Sequence, residues 1–176
     1  TVPIYAEKWG IEPTREAIFQ FLNDDCRWFT ADSGYHHPSG RPAIDPSYGT
    51  ERHTLSAEGC FANAETIADI EKYPWPDPDY CDFTEIYKQV EQFPDKMVFT
   101  GMWCPFFHNI ADFFGMENYF IKMYECPEVG EAATERIVDY YVAANEKYFA
   151  GLGDKDDVMF FGNDFGTQRD LFISPE

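Results

Sequence analysis

The chain of 176 residues is long enough for one domain with a proper core, and a 44% hydrophobic content places it among globular proteins. Its 13 basic and 32 acidic side chains leave a net charge of −19, which excludes nucleic acid and anionic membrane as partners by simple repulsion. An aromatic content of 18% excludes the acid-rich disordered class, which has few rings to bury.

Residues 2–6, Val-Pro-Ile-Tyr-Ala, read as a first strand with Pro3 near its start, where a missing donor is tolerated. The strand would release Glu7, Lys8 and Trp9 at its end. Pro13 suits the first turn of a helix, and Ala17, Ile18, Phe21 and Leu22 make an apolar stripe along it. Residues 26–31 read as a second strand with Asp32 at its carboxyl end. The βαβ order implies a right-handed crossover and a parallel pair.

Residues 33–62 are rich in Gly, Pro, Ser and Tyr and read as a long excursion, with a hairpin near 50–61. An excursion of that length in one domain serves as a lid or pocket wall. His36-His37 within it reads as plain loop, since adjacent residues do not readily share one ion. Asn63 caps a helix reaching about Lys72, with Ile67 and Ile70 on one face. Tyr73-Pro74-Trp75-Pro76-Asp77-Pro78-Asp79-Tyr80 is a rigid extended strap, forced by three alternate prolines. Asp82 and Glu85 resemble a capping box. They open a helix that turns Phe83, Ile86, Val90 and Phe93 inward and stops at Pro94.

Residues 97–101 are the third strand. Two short helices follow, near 106–114 and 117–124. A long helix then runs from Pro127 to about Gly151, with Ile137, Tyr141, Ala144 and Tyr148 on its buried face and Gly151 and Gly153 ending it. Residues 158–161 are a fourth strand. Four consecutive apolar residues suit a strand buried on both faces, as in parallel sheets. The chain turns at Gly162 and releases Asn163, Asp164 and Gln168, which are expected to face a pocket. Ser174-Pro175-Glu176 reads as the opening of another helix. No glycine-rich phosphate loop follows any strand.

Five cysteines, scattered and without a C-x-x-C pair, suit free thiols in a reducing cytoplasm. No apolar run approaches the length of a membrane span, and no signal peptide is read. The fold class expected is α/β: about four β/α units with parallel strands, the first half of a (β/α)8 barrel, which needs about 250 residues when complete. All 176 residues would form one incomplete barrel domain.

Three segments carry a resemblance. They are Tyr73-Pro-Trp-Pro-Asp-Pro-Asp79, then Gly101-x-Trp103-x-Pro105 after a strand, then Gly162-Asn-Asp-Phe-Gly-Thr-Gln168 with Ser174-Pro-Glu176. Together they resemble the uroporphyrinogen decarboxylase superfamily, which holds tetrapyrrole decarboxylases and cobalamin- or coenzyme-M-dependent methyltransferases. The resemblance implies a single barrel with its site at the carboxyl ends of the strands. It implies Asp32 and Asp164 as catalytic residues, with Tyr5, Trp103, His108, Asn163 and Gln168 binding substrate. Where the decarboxylases carry arginines for the substrate propionates, this chain reads Tyr5-Ala-Glu-Lys-Trp9-Gly10. Their tyrosine beyond the Trp/Pro turn falls near 109–111, where none stands. A porphyrinogen with eight carboxylates would also meet strong repulsion. The methyltransferase branch is therefore favoured. Its zinc, held by a His-x-Cys pair and a later Cys, would be bound outside this chain, and a corrinoid protein would be its partner. Cys104 and His108 alone do not make a metal site. The alternatives are a decarboxylase without cofactor, and a non-catalytic assembly module. Partners expected are a small-molecule substrate and the rest of the barrel, a second chain or a second copy.

Overall fold

The computed structural model describes residues 1–50, 57–155 and 157–174. Among them it is a mixed α/β structure around one small parallel sheet. Three strands, β1 (Cys26–Trp28), β2 (Met97–Thr100) and β3 (Val158–Met159), lie side by side in chain order. Both pairs are parallel, with Trp28 opposite Phe99 and Thr100 opposite Met159. Ladder bonds continue past the strand ends: Phe29 N donates to Phe99 O at 3.0 Å, Ala31 N to Gly101 O at 3.0 Å, and Phe160 N to Thr100 O at 2.9 Å.

The expected first strand is instead helix α1 (Val2–Trp9). Pro3 falls in its first turn, where its missing N–H costs nothing. Tyr5 and Trp9, four residues apart, stack at 5.0 Å, and Trp9 stacks on Phe21 of α2 (Arg15–Phe21) at 4.7 Å. Helix α2 is capped by Thr14, whose side chain accepts from Ala17 N. Its apolar stripe is not a core face, because Phe21 and Leu22 stay exposed. What α2 gives the sheet is Glu16, which grips the buried Arg27 through two hydrogen bonds of 2.9 and 2.7 Å.

Helix α3 (Ile67–Glu71) starts later than expected. Thr66, not Asn63, is its cap, closed reciprocally by Asp69, and only Ile70 of the two isoleucines turns inward. The strap is extended as expected and is anchored at both faces. Tyr73 is buried against Phe61 and Phe113, and Arg41 from the excursion donates to Pro74 O at 2.5 Å. Residues 57–61 of the expected hairpin carry no strand, and 51–56 lie outside the described residues. Asp82 accepts from Thr84 N, while Glu85 pairs with Lys88, so no reciprocal box forms. Helix α4 (Thr84–Val90) buries Ile86 and Val90.

Helices α5 (Phe106–Phe114), α6 (Met116–Glu125) and α7 (Pro127–Leu152) match the sequence pattern closely. Ile137, Tyr141, Ala144 and Tyr148 of α7 are all buried, and α7 packs on α3, α5 and α6. Gly153 ends α7, at φ 67°. Gly151 does not: it lies within the helix, where a Cβ would sit 2.3 Å from the Tyr87 hydroxyl, so its bareness admits that ring. The fourth expected strand shrinks to two residues and is not buried on both faces, since Met159 and Phe161 are exposed. The expected helix at 174–176 begins at Ser174, which is not helical; Pro175 and Glu176 lie outside the described residues. Among the described residues no helix is long and apolar enough to cross a membrane, and no disulfide joins the five cysteines.

Candidate ligand site at the carboxyl ends of the strands

Side chains alternate across a strand, so each strand feeds both faces of the sheet. Arg27, Phe29, Val98 and Thr100 point to the helices. Phe29 meets Phe93, and the Thr100 hydroxyl bonds to the Tyr148 hydroxyl of α7. The opposite face carries Trp28, Phe99 and Phe160. Trp28 stacks on Phe99 at 4.7 Å and meets Phe160 edge-on at 4.9 Å; Trp103, just beyond β2, meets Phe160 at 5.1 Å. Trp28 is 59% exposed and Trp103 50% exposed. A cavity of about 140 Å³ opens between them at the carboxyl ends, lined also by Thr30 and Gly101. Gly101 holds φ 116°, which turns the chain over the strand end.

Asp32 stands at this rim. Its carboxylate accepts Trp103 N at 3.1 Å and the Thr30 hydroxyl, so it ties the end of β1 to the turn after β2. Trp103 O in turn accepts Gly162 N at 3.1 Å, bringing in the segment after β3. The three strand ends are thus joined by Asp32, Trp103 and Gly162.

Asn163 is half-buried and bonded at both ends of its amide. Its Oδ1 accepts Phe107 N at 3.0 Å and its Nδ2 donates to Cys104 O at 3.1 Å. It fastens the start of α5 and positions the rim, and one N–H and one oxygen lone pair of the amide remain over. His108 and Asp164 are brought together: Asp164 N donates to His108 Nε2 at 3.4 Å, with the carboxylate 3.9 Å away. The Asp164 side chain is 91% exposed, and neither it nor His108 lines the cavity. Gln168 is exposed in a turn closed by Thr167 N donating to Asp170 O at 2.7 Å. Tyr5 lies on α1, stacked on Trp9, and α1 packs on α2. Neither Tyr5 nor Gln168 lines the cavity or is bonded to Asp32, Trp103 or Gly162.

Asn145 of α7 was not singled out by sequence. It is buried, its Oδ1 accepts Met102 N at 3.1 Å, and its Nδ2 donates to Tyr141 O at 2.8 Å and reaches Cys104 Sγ at 3.3 Å. It braces the 101–104 turn, in which Cys104 holds φ 51°. Burial pushes the Cys104 thiol up to about 11. Among the described residues no three of His, Cys, Asp and Glu are placed to hold a metal ion. Of the aromatic walls, Trp103 is expected from sequence, whereas Trp28 and Phe160 are not. Their signal was present as period-two spacing, Trp28 with Thr30 and Phe99 with Gly101.

A second, apolar groove of about 510 Å³ lies beside β3. It is lined by Val138, Val142, Phe149, Met159 and Phe161, with Asn145 and Glu146 among its few polar groups.

Comparison with known proteins yields no match to a family model, to a curated protein or to a solved structure.

Proposed function

We propose that this chain belongs to the uroporphyrinogen decarboxylase superfamily, nearer to its corrinoid-dependent methyltransferases than to its decarboxylases, and that it supplies adjacent β/α units of a (β/α)8 barrel. Its described part holds a small-molecule ligand over the carboxyl ends of β1, β2 and β3. One observation carries the reading: three parallel strands stand in chain order, and Asp32, Trp103 and Gly162 join their carboxyl ends around a cavity. That is where barrel enzymes place their ligands. The unit count is three, not four, because α1 replaces the first expected strand.

In this reading Asp32 orients the ligand by accepting a hydrogen bond or attracting a positive centre. Trp103 and Phe160 exclude water, and Asn163 holds the rim in place. Zinc and corrinoid would be bound outside the described residues. The net charge of −19 argues against a polycarboxylate tetrapyrrole as substrate. The test is methyl transfer from a methylated corrinoid protein to a thiol acceptor by the full-length protein and by its Asp32→Asn variant. A loss of 100-fold or more is expected. Equal rates would remove Asp32 from the mechanism, and release of carbon dioxide from uroporphyrinogen would replace methyl transfer with decarboxylation.

A second reading, assembly with another copy of the chain, is favoured by the apolar groove beside the open edge of β3, where Phe161 is 62% exposed. Sedimentation velocity tests it: a concentration-dependent dimer is expected, and a monomer at all concentrations rejects it.

A further inference from the structure

The cavity at the strand ends has walls of one chemical kind. Trp28, Trp103 and Phe160 present rings to it, two of them about half exposed. None of its lining residues is lysine or arginine. The nearest strand cation, Arg27, points to the other face and is spent on Glu16. At the edge stands the Asp32 carboxylate, bonded to two lining residues, Thr30 and Trp103. A carboxylate offers about four acceptor sites. Thr30 and Trp103 supply two donors, so Asp32 keeps acceptor capacity for a ligand.

We propose that this cavity recognises a small organic cation of the quaternary or methylated ammonium class, enclosed by Trp28, Trp103 and Phe160 and faced by Asp32. Aromatic faces carry negative charge density and attract such a cation, tryptophan most strongly. Asp32 adds a full charge beside them, bonded to the lining residues Thr30 and Trp103. A neutral apolar guest would gain nothing from Asp32, and an anion would be repelled by it. At about 140 Å³ the cavity suits an ammonium head, and it is smaller than the roughly 300–1,000 Å³ of sites that hold larger ligands. The inference rests on the reading of this rim as the ligand site and narrows the ligand's class.

The experiment is calorimetric titration of the protein with choline and with 3,3-dimethylbutan-1-ol, its uncharged isostere. Salt near physiological strength, where the screening length is about 8 Å, limits the general pull of the acidic surface. Choline is expected to bind at least tenfold more tightly than the alcohol. Asp32→Asn and Trp103→Leu should each narrow that ratio, and circular dichroism checks that both variants fold. Equal affinities, no binding of either probe, or a ratio untouched by both variants would overturn the inference. Choline selectivity without methyl transfer would retain the pocket and reject the methyltransferase reading. Methyl transfer with no cation preference would do the reverse.

Discussion

The two faces of the sheet are made by alternate residues of the same strands, yet their surroundings are opposite. Val98 and Thr100 look toward α7 and are buried; Trp28 and Met97 look away and are exposed. The covered face is apolar except where each polar group has a partner, as Arg27 has Glu16 and Thr100 has Tyr148. The open face is aromatic and ends in an acid. Stability therefore resides on one side of the sheet, and the proposed ligand site lies on the other. Period-two alternation lets one short strand serve both.

The largest effect expected is on the covered side. Tyr148→Ala removes a fully buried ring that touches Thr100, Phe83 and Tyr87, and should cost about 3–5 kcal/mol in urea unfolding. A smaller loss would mean that the helical layer is not the core. Gly151→Ala comes next. Forcing a Cβ against Tyr87 costs about 1–3 kcal/mol by overpacking, while alanine returns about 1 kcal/mol of helix propensity. A net loss of about 1 kcal/mol is expected, and a gain would show that Tyr87 moves aside freely.

The Arg27–Glu16 pair gives a pH signature. The guanidinium holds the Glu16 carboxyl below its ordinary value of 4.5. Such a group stabilises the fold fully above the unfolded value, and the contribution is lost as pH falls through the lower folded one. Unfolding midpoints should therefore drop on acidification below about 4.5, and Glu16→Gln should blunt the drop. The size is about 1 kcal/mol or less, because Glu16 is more than a third exposed and Arg27 keeps its bonds to Asp24 O and Cys26 O.

On the open side Trp103→Leu should change stability by no more than about 0.5 kcal/mol, though it alters binding. A loss comparable to that of Tyr148→Ala would erase the contrast between the faces. The smallest signal expected is chemical. Cys104, buried and with its thiol raised, should resist iodoacetamide near neutral pH in the native protein, while the less buried Cys26 and Cys126 react. Mass spectrometry of the labelled protein reads this directly.

Much of the helical layer is legible in sequence. The 106–114 and 127–152 helices have long periodic apolar faces, and periodicity over three or more turns leaves little choice of structure. The strand at 97–100 is legible for the same reason, being bounded by Pro94 and Gly101. The segment 2–6 is not. Val, Ile and Tyr favour a strand, but a strand needs a neighbour, whereas a helix closes its own hydrogen bonds, and Tyr5 gained Trp9 by forming one. Short apolar runs leave this choice to tertiary context.

The site divides in the same way. Sequence places Asp32, Trp103 and Asn163 beyond strand ends, because a strand must stop before polar groups are released. It cannot say what each group faces once there. Asn163 fastens the start of α5 through two backbone groups arriving from 104 and 107, a role that no local pattern announces. The meeting of Trp28, Trp103 and Phe160, far apart along the chain, depends on strand order and register. Those are decided only when the three strands pair, because pairing is a long-range event that no local pattern encodes.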